Sequence, residues 1–448
     1  MRLAARHRPN VLDLFCGAGG LSVGFRDAGY RIVGGVDSSP VALETFHRNV
    51  RGAKPIAADL RRLEVSALRD AIGRNVDVLV GGPSCQGFST SGGLTRGDGR
   101  QMHDPRNHLF QHYLRIVEGL RPSWIVFENV PGLLLYHHGE VARTIAGCFN
   151  DLGYTIEPMI LLAADYGVPQ LRRRLFFVGN RTGSAIQFPV PTHGDPDLWA
   201  NFALPFTFLS RLGHKGARSP KPHVSFSDAV SDLPAIDEGD SVDNVSYRRV
   251  RPTAYQQKMR RRSTSVRQHI SFELAEFDRL AANMLRPGEN WRDIPEHLRP
   301  PRFQRIRPYD ATTLMRRLVG DRPSYTVTTK FNEASTGAFI HPSQDRTLSI
   351  REAARLQSFT DDFVFAGSPK QIREQIGNAV PPLLARAVAE AILPLVVHDL
   401  FDVDYPSKRK TLRIEDEGFN DRIRLHKARR RIRTYESHDG NSLRVVEL

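Results

Sequence analysis

The sequence predicts an α/β protein built on a mostly parallel, Rossmann-like sheet, with a smaller domain inserted into it. Three observations carry this. Short apolar runs rich in β-branched residues alternate with helical patterns from Val11 to about Val178. That spacing fits parallel strands joined by crossover helices. The alternation stops near Arg181 and resumes near Leu348. The strand-like runs end on glycine, proline or a polar side chain, and such strand tips are where open α/β sheets bind ligands.

In chain order, Val11–Phe15 reads as a strand, followed by the turn Gly17-Ala18-Gly19-Gly20 and a helical pattern from Leu21. Arg31–Asp37 is a second strand ending on an acid. Ser38 or Ser39 can cap the next helix, with Pro40 at its start and Asn49 near its end. Ala57-Ala58-Asp59 closes a further extended piece. A glycine turn followed some 20 residues later by an acid at a strand tip suits an adenosine-containing cofactor. The pattern leaves NAD, FAD and S-adenosyl-L-methionine open.

The run Val76–Val80 ends in Gly81-Gly82-Pro83-Ser84-Cys85-Gln86-Gly87-Phe88-Ser89. This places Cys85 at the mouth of a cleft, where a nucleophile is useful, although free cysteine is also a common core residue. The polar stretch Thr90–Arg106 is long for a connection and suits a ligand-contacting loop. After a helix over Asn107–Leu120, the strand Ser123–Phe127 ends in Glu128-Asn129-Val130, which would bring a carboxylate to the same cleft. Val168–Val178 reads as a strand with Arg172 and Arg174 on one face.

Residues 181–347 read as a separate inserted domain facing a polyanion, with basic clusters at Arg248–Arg251 and Lys258–Arg262. Leu348–Gln357 is a helix with Ser349 as its cap and Glu352 in the first turn. An apolar helix follows Gly377–Pro382 to about Val397. Residues 401–448 form a basic tail that suits a phosphate-contacting arm.

Composition narrows the function. The 448 residues carry a formal net charge of +14, which favours nucleic acid as a partner. No run of 18 apolar residues suggests a membrane span, and the basic N-terminus has no signal-peptide core behind it. The three cysteines make no disulfide framework and no zinc pattern. We therefore expect a cytosolic protein that needs no metal.

These landmarks, in this order, resemble the DNA (cytosine-5)-methyltransferase family. The likeness rests on Asp13–Gly20, Asp37, Asp59, Gly82–Ser89, Phe127–Val130, Gln170–Arg174, Arg351–Gln357 and Gly377–Pro381. It implies an S-adenosyl-L-methionine-dependent methyltransferase domain at 1–180 and 348–400, with a target-recognition domain at 181–347. It implies Cys85 as the nucleophile on a flipped-out cytosine and Glu128 at the base, with Arg172 or Arg174 on the base oxygen or a flanking phosphate, and it favours Arg174 for the base. Phe15, Gly17, Gly19, Gly20, Asp37, Asp59, Pro83 and Asn378 would line the cofactor site. Ser84 stands where a second proline is common and Asp37 where Glu is common, so the ribose contact has a shorter reach.

The expected setting is a bacterial restriction–modification system: double-stranded DNA as partner, a possible cognate restriction endonuclease, a monomeric enzyme and a cytoplasmic, nucleoid-associated location. The rival readings are a tRNA cytosine-5 methyltransferase, a catalytically silent DNA-binding relative and a Rossmann oxidoreductase. The last leaves the Cys85 and Glu128 blocks unexplained.

Overall fold

The computed structural model describes residues 8–83, 109–135, 140–194, 220–304, 306–307 and 311–401. Seven strands form one sheet: β1 (Asn10–Leu14), β2 (Arg31–Asp37), β3 (Lys54–Ala57), β4 (Val78–Gly81), β5 (Trp124–Asn129), β6 (Thr155–Leu162) and β7 (Arg173–Asn180). Their spatial order is β3-β2-β1-β4-β5-β7-β6. β1 to β5 pair in parallel, while β7 runs antiparallel to both β5 and β6. The chain leaves β1 toward β2 and later returns to its other side with β4. That reversal of direction creates a crevice at the carboxyl ends of β1 and β4.

Strict two-residue alternation explains why the sheet is covered on both faces. Val11, Val78, Val80, Val126 and Phe176 enter one core. Their neighbours Leu12, Leu79, Ile125, Phe127 and Leu175 enter the other. The first face is covered by α1 (Gly20–Ala28) and the long C-terminal helix. The second is covered by α3 (Val65–Ile72), α4 (Leu109–Leu120) and α5 (Glu140–Asp151). On α2 (Pro40–Asn49) the capping choice resolves to Ser39, whose hydroxyl accepts from the Ala42 amide at 3.3 Å.

In the inserted region, the described residues form short elements: α6 (Phe226–Val230), the ribbon β8–β9 (Ser241–Val242 and His269–Ile270), α7 (Ala254–Arg260) and α8 (Glu276–Met284). This region is not one detached body. Phe226, Tyr255, Met259 and Val266 join the core on the first face of the sheet, whereas Leu274, Trp291, Phe303 and Met315 form a small core of their own.

The chain re-enters the main domain through α9 (Ile350–Leu356), α10 (Pro369–Asn378) and α11 (Pro382–Phe401). Among the described residues, the helical stretch Pro369–Phe401 is long and apolar enough to cross a membrane, with 61% of its most apolar window buried inside the protein. Its apolarity has a local cause: α11 is packed against α1. Gly24 permits this contact, since a Cβ there would lie 2.4 Å from that of Ala385.

Candidate active site

The carboxyl ends of β1, β2, β4 and β5 gather most of the expected site residues. Phe15, directly after β1, has φ +60, a conformation that costs a bulky residue energy and tends to persist at functional sites. Gly17 (φ +52) and Gly19 (φ +92) complete the turn, and a Cβ on Gly17 would meet nothing within 4 Å. The space beside this backbone is open. Gly20 starts α1, and a Cβ there would lie 2.3 Å from the Val380 carbonyl oxygen. Glycine here lets the C-terminal segment lie against the turn. Among the described residues no side chain caps α1, which leaves its first amides and positive dipole end available to a ligand.

Asp37 is fixed at the tip of β2. One of its carboxylate oxygens accepts from the Gly17 amide at 2.8 Å, the other from the Ser39 amide at 2.8 Å. The shorter acid thus braces the glycine turn from the next strand, and each oxygen keeps a lone pair for another donor. Below the turn, buried Asp13 accepts the Ser22 hydroxyl at 2.6 Å. Burial, with a further contribution from the negative charge of Asp37, pushes its carboxyl up to about 7.

Asp59 lies after β3, in a loop tied to β2 by the Ala58 amide bonding to the Asp37 carbonyl. Its carboxylate takes a two-pronged bond from Arg61 at 2.6–3.0 Å, which holds it down to about 2. Asn378 is the last residue of α10 and is exposed.

The second half of the site lies at β4 and β5. Glu128 is buried, and its Oε1 is 2.8 Å from Nε of Arg174. Burial raises the Glu128 carboxyl above its ordinary value, although Arg174 and Arg172 both pull it down. Gly82 makes room for it, because a Cβ there would lie 2.7 Å from Glu128 Oε2. Asn129 then ties the two strand ends together, its amide donating to the Pro83 carbonyl at 3.2 Å. Cys85 lies two residues further along the sequence, outside the described residues, as do Thr90–Arg106 and residues 402–448.

Arg172 has a different set of partners from Arg174. It is 1% exposed and donates to the backbone carbonyls of Val327 at 2.8 Å, Gly377 at 2.9 Å and Ala379 at 3.1 Å. The structure therefore brings Arg174 to Glu128 and sends Arg172 to the C-terminal segments. Part of the basic insertion is also engaged internally. Arg260 pairs with Asp232 and stacks over Tyr247, 3.8 Å from the ring centre, while Arg249, Arg251, Arg261 and Arg262 are exposed.

Several structural roles had no clear sequence signal. Asn129 stands beside the expected acid, and nothing local marks it as the tie to Pro83. Gln170 accepts from the Val327 amide at 2.8 Å and donates to the Leu356 carbonyl at 3.0 Å, contacts that span more than 150 residues. The positive φ of Phe15 has no signature in its residue type.

The chain as a whole is similar to known proteins. A family model described as C-5 cytosine-specific DNA methylase matches residues 9–394. The type II methyltransferase M1.HphI of Haemophilus parahaemolyticus is 34% identical over 86% of this chain and 86% of its own length. The type II methyltransferase M.AgeI of Thalassovita gelatinovora is 34% identical over 85% of this chain and 98% of its own. Among solved structures, a DNA modification methyltransferase encoded within an E. coli prophage superposes with a TM-score of 0.64 at 23% identity. It covers 87% of this chain and 99% of that one, a likeness of fold.

Proposed function

The chain belongs to the C-5 cytosine-specific DNA methylase family, and from that premise we propose that it methylates C5 of a cytosine within a specific double-stranded DNA sequence. The observation that carries this reading is the buried Glu128–Arg174 pair at the tip of β5, packed against Gly82 on the strand that leads to Cys85.

Cytosine C5 is a weak nucleophile, so the chemistry needs covalent activation. Cys85 is the group assigned to add to C6. A free thiol of pKa about 8.5 is only slightly ionised at neutral pH, and nearby positive charge favours its thiolate. Glu128 is suited to meet the base at N3 and the exocyclic amine. Burial raises its carboxyl above the ordinary value, the direction that eases sharing a proton with N3 as charge builds on the ring. Arg174, paired with Glu128, is the group assigned to the base oxygen. With C6 bonded to sulfur, C5 becomes enamine-like and accepts a methyl group. Loss of the C5 proton then lets the thiolate leave. Because C5 is shielded within a duplex, the base must be flipped out, at a cost of roughly a few kcal/mol.

The open glycine turn, the uncapped start of α1 and the braced Asp37 fit an adenosyl donor. S-adenosyl-L-methionine, when bound, supplies an electrophilic methyl group. Phe15 would stack on its adenine, Asp37 would take ribose hydroxyls, and Gly17, Gly19, Gly20, Pro83 and Asn378 would line the remainder. Asp59 reaches the adenine amine in this scheme only by sharing its carboxylate with Arg61.

We further assign target recognition to residues 181–347, whose exposed arginines suit phosphate contacts. The names of the relatives support a restriction–modification setting in a bacterial cytoplasm. Cys85→Ala should abolish methyl transfer to duplex DNA and covalent trapping by 5-fluorocytosine DNA. Methyl transfer that survives this change would sink the assignment of the nucleophile.

A further inference from the structure

Arg172 is a fully buried cation whose hydrogen bonds among the described residues all run to main-chain oxygens on distant parts of the chain. Two of these, on Gly377 and Ala379, lie at the C-terminus of α10. The last carbonyls of a helix have no partners within it and carry the negative end of its dipole. α10 has no basic residue in its own last turn, and Arg172 provides the charge from the position just before β7. Gln357 takes a third carbonyl of this end, that of Ile376, at 2.6 Å. From the opposite side, Gly377 lies against the segment that Arg172 also holds, since a Cβ there would be 2.3 Å from the Thr329 amide nitrogen. The turn is thus clamped with its carbonyls inward and Asn378 exposed. Two residues after Arg172, on the same chain, Arg174 pairs with Glu128.

We propose that Arg172 is a positioning residue that locks the α10 C-terminus, and with it Asn378, to the strand carrying the base pocket. This sets the cofactor side of the site from the base side. The inference rests on the function proposed above and goes beyond it, because it removes Arg172 from contact with base or phosphate. Its side chain acts on the donor site through backbone that it holds in place.

The test is Arg172→Lys, which keeps the charge but cannot span three carbonyls with a planar fork. S-adenosylhomocysteine binding by calorimetry should weaken about tenfold, the equivalent of one charge-assisted hydrogen bond. The KM for S-adenosyl-L-methionine should rise in parallel, and affinity for duplex DNA should stay within about twofold. Gly377→Ala, which crowds the same turn from its other face, should reproduce the pattern and decides the matter if Arg172→Lys does not fold. Lost DNA affinity with normal S-adenosylhomocysteine binding would return Arg172 to the nucleic acid and overturn the proposal. Parallel loss of both bindings and of melting temperature would reduce it to a core residue, and unchanged binding would also overturn it. A wild-type protein that neither binds S-adenosylhomocysteine nor methylates DNA would instead refute the proposed function.

Discussion

Glu128 and Glu352 are both buried glutamates beside an arginine, and their surroundings drive them in opposite directions. Arg346 grips Glu352 with two nitrogens, at 2.7 and 2.8 Å, and the Ser349 amide donates to it at 2.8 Å. Burial alone would raise its pKa, but the charge and hydrogen bonds of Arg346 outweigh burial and hold the carboxyl far below the usual range. Among the described residues, Glu128 meets Arg174 with Nε 2.8 Å from its Oε1. There burial prevails and the pKa rises. The difference lies in how many donors surround the carboxylate. A fully satisfied pair is a fastener. An under-satisfied pair at a strand tip is a group held ready for a ligand.

The same isosteric change should separate the two. Glu352→Gln leaves Arg346 buried without its counter-charge, and losing one partner of a buried pair costs about 3–5 kcal/mol. Gln at this position can keep the capping box of α9, so the lost charge alone should appear as a large drop in the urea midpoint. A midpoint unchanged from wild type would show that hydrogen bonds, and not charge, hold the pair.

This contrast also marks how far the sequence could be read. The strands, the Ser349 cap and the acids at strand tips were visible because they depend on neighbours a few residues away. Glu352 was legible as a first-turn acid of α9, but its pairing with Arg346 was not. Nor was the triad in which Arg355 joins Asp361, at 2.7–2.9 Å, to Asp232 across more than 120 residues. The arginines at 172 and 174 looked equivalent by alternation. What separates them is the distant segments at 327 and 377–379, and nothing local encodes those. The same limit applies to the insertion, whose first and last parts share the main core although its composition suggested a separate body.

Glu128→Gln should behave in the opposite way. The fold already disfavours the ionised form, so a neutral isostere should leave the urea midpoint unchanged or slightly raised. Methyl transfer should nevertheless fall by about 10²–10³ in kcat, the scale for losing one preorganised group that stabilises developing charge. Lost activity accompanied by an equal loss of stability would place Glu128 among the fasteners.

The smallest expected effect is a pH dependence beside Glu352. Burial lowers the pKa of His341 to about 4, despite the nearby negative charge of Glu352. The ring Nδ1 accepts from the Ser343 amide at 3.2 Å, as a neutral imidazole can. Between an ordinary histidine value of about 6.5 and this lowered one, the unfolded chain binds a proton that the folded chain does not. Stability must therefore fall as pH drops through that window. Glu352 adds its own loss only further down, below about pH 4.3, where the unfolded carboxyl takes up its proton first. Urea denaturation at pH 7 and pH 4.5 should thus show His341→Gln losing less stability than wild type, by on the order of 2 kcal/mol. Equal losses would mean that the folded protein holds this histidine charged, with Glu352 as its counter-ion. The Glu352 pair would then be a three-membered cluster of Arg346, Glu352 and His341.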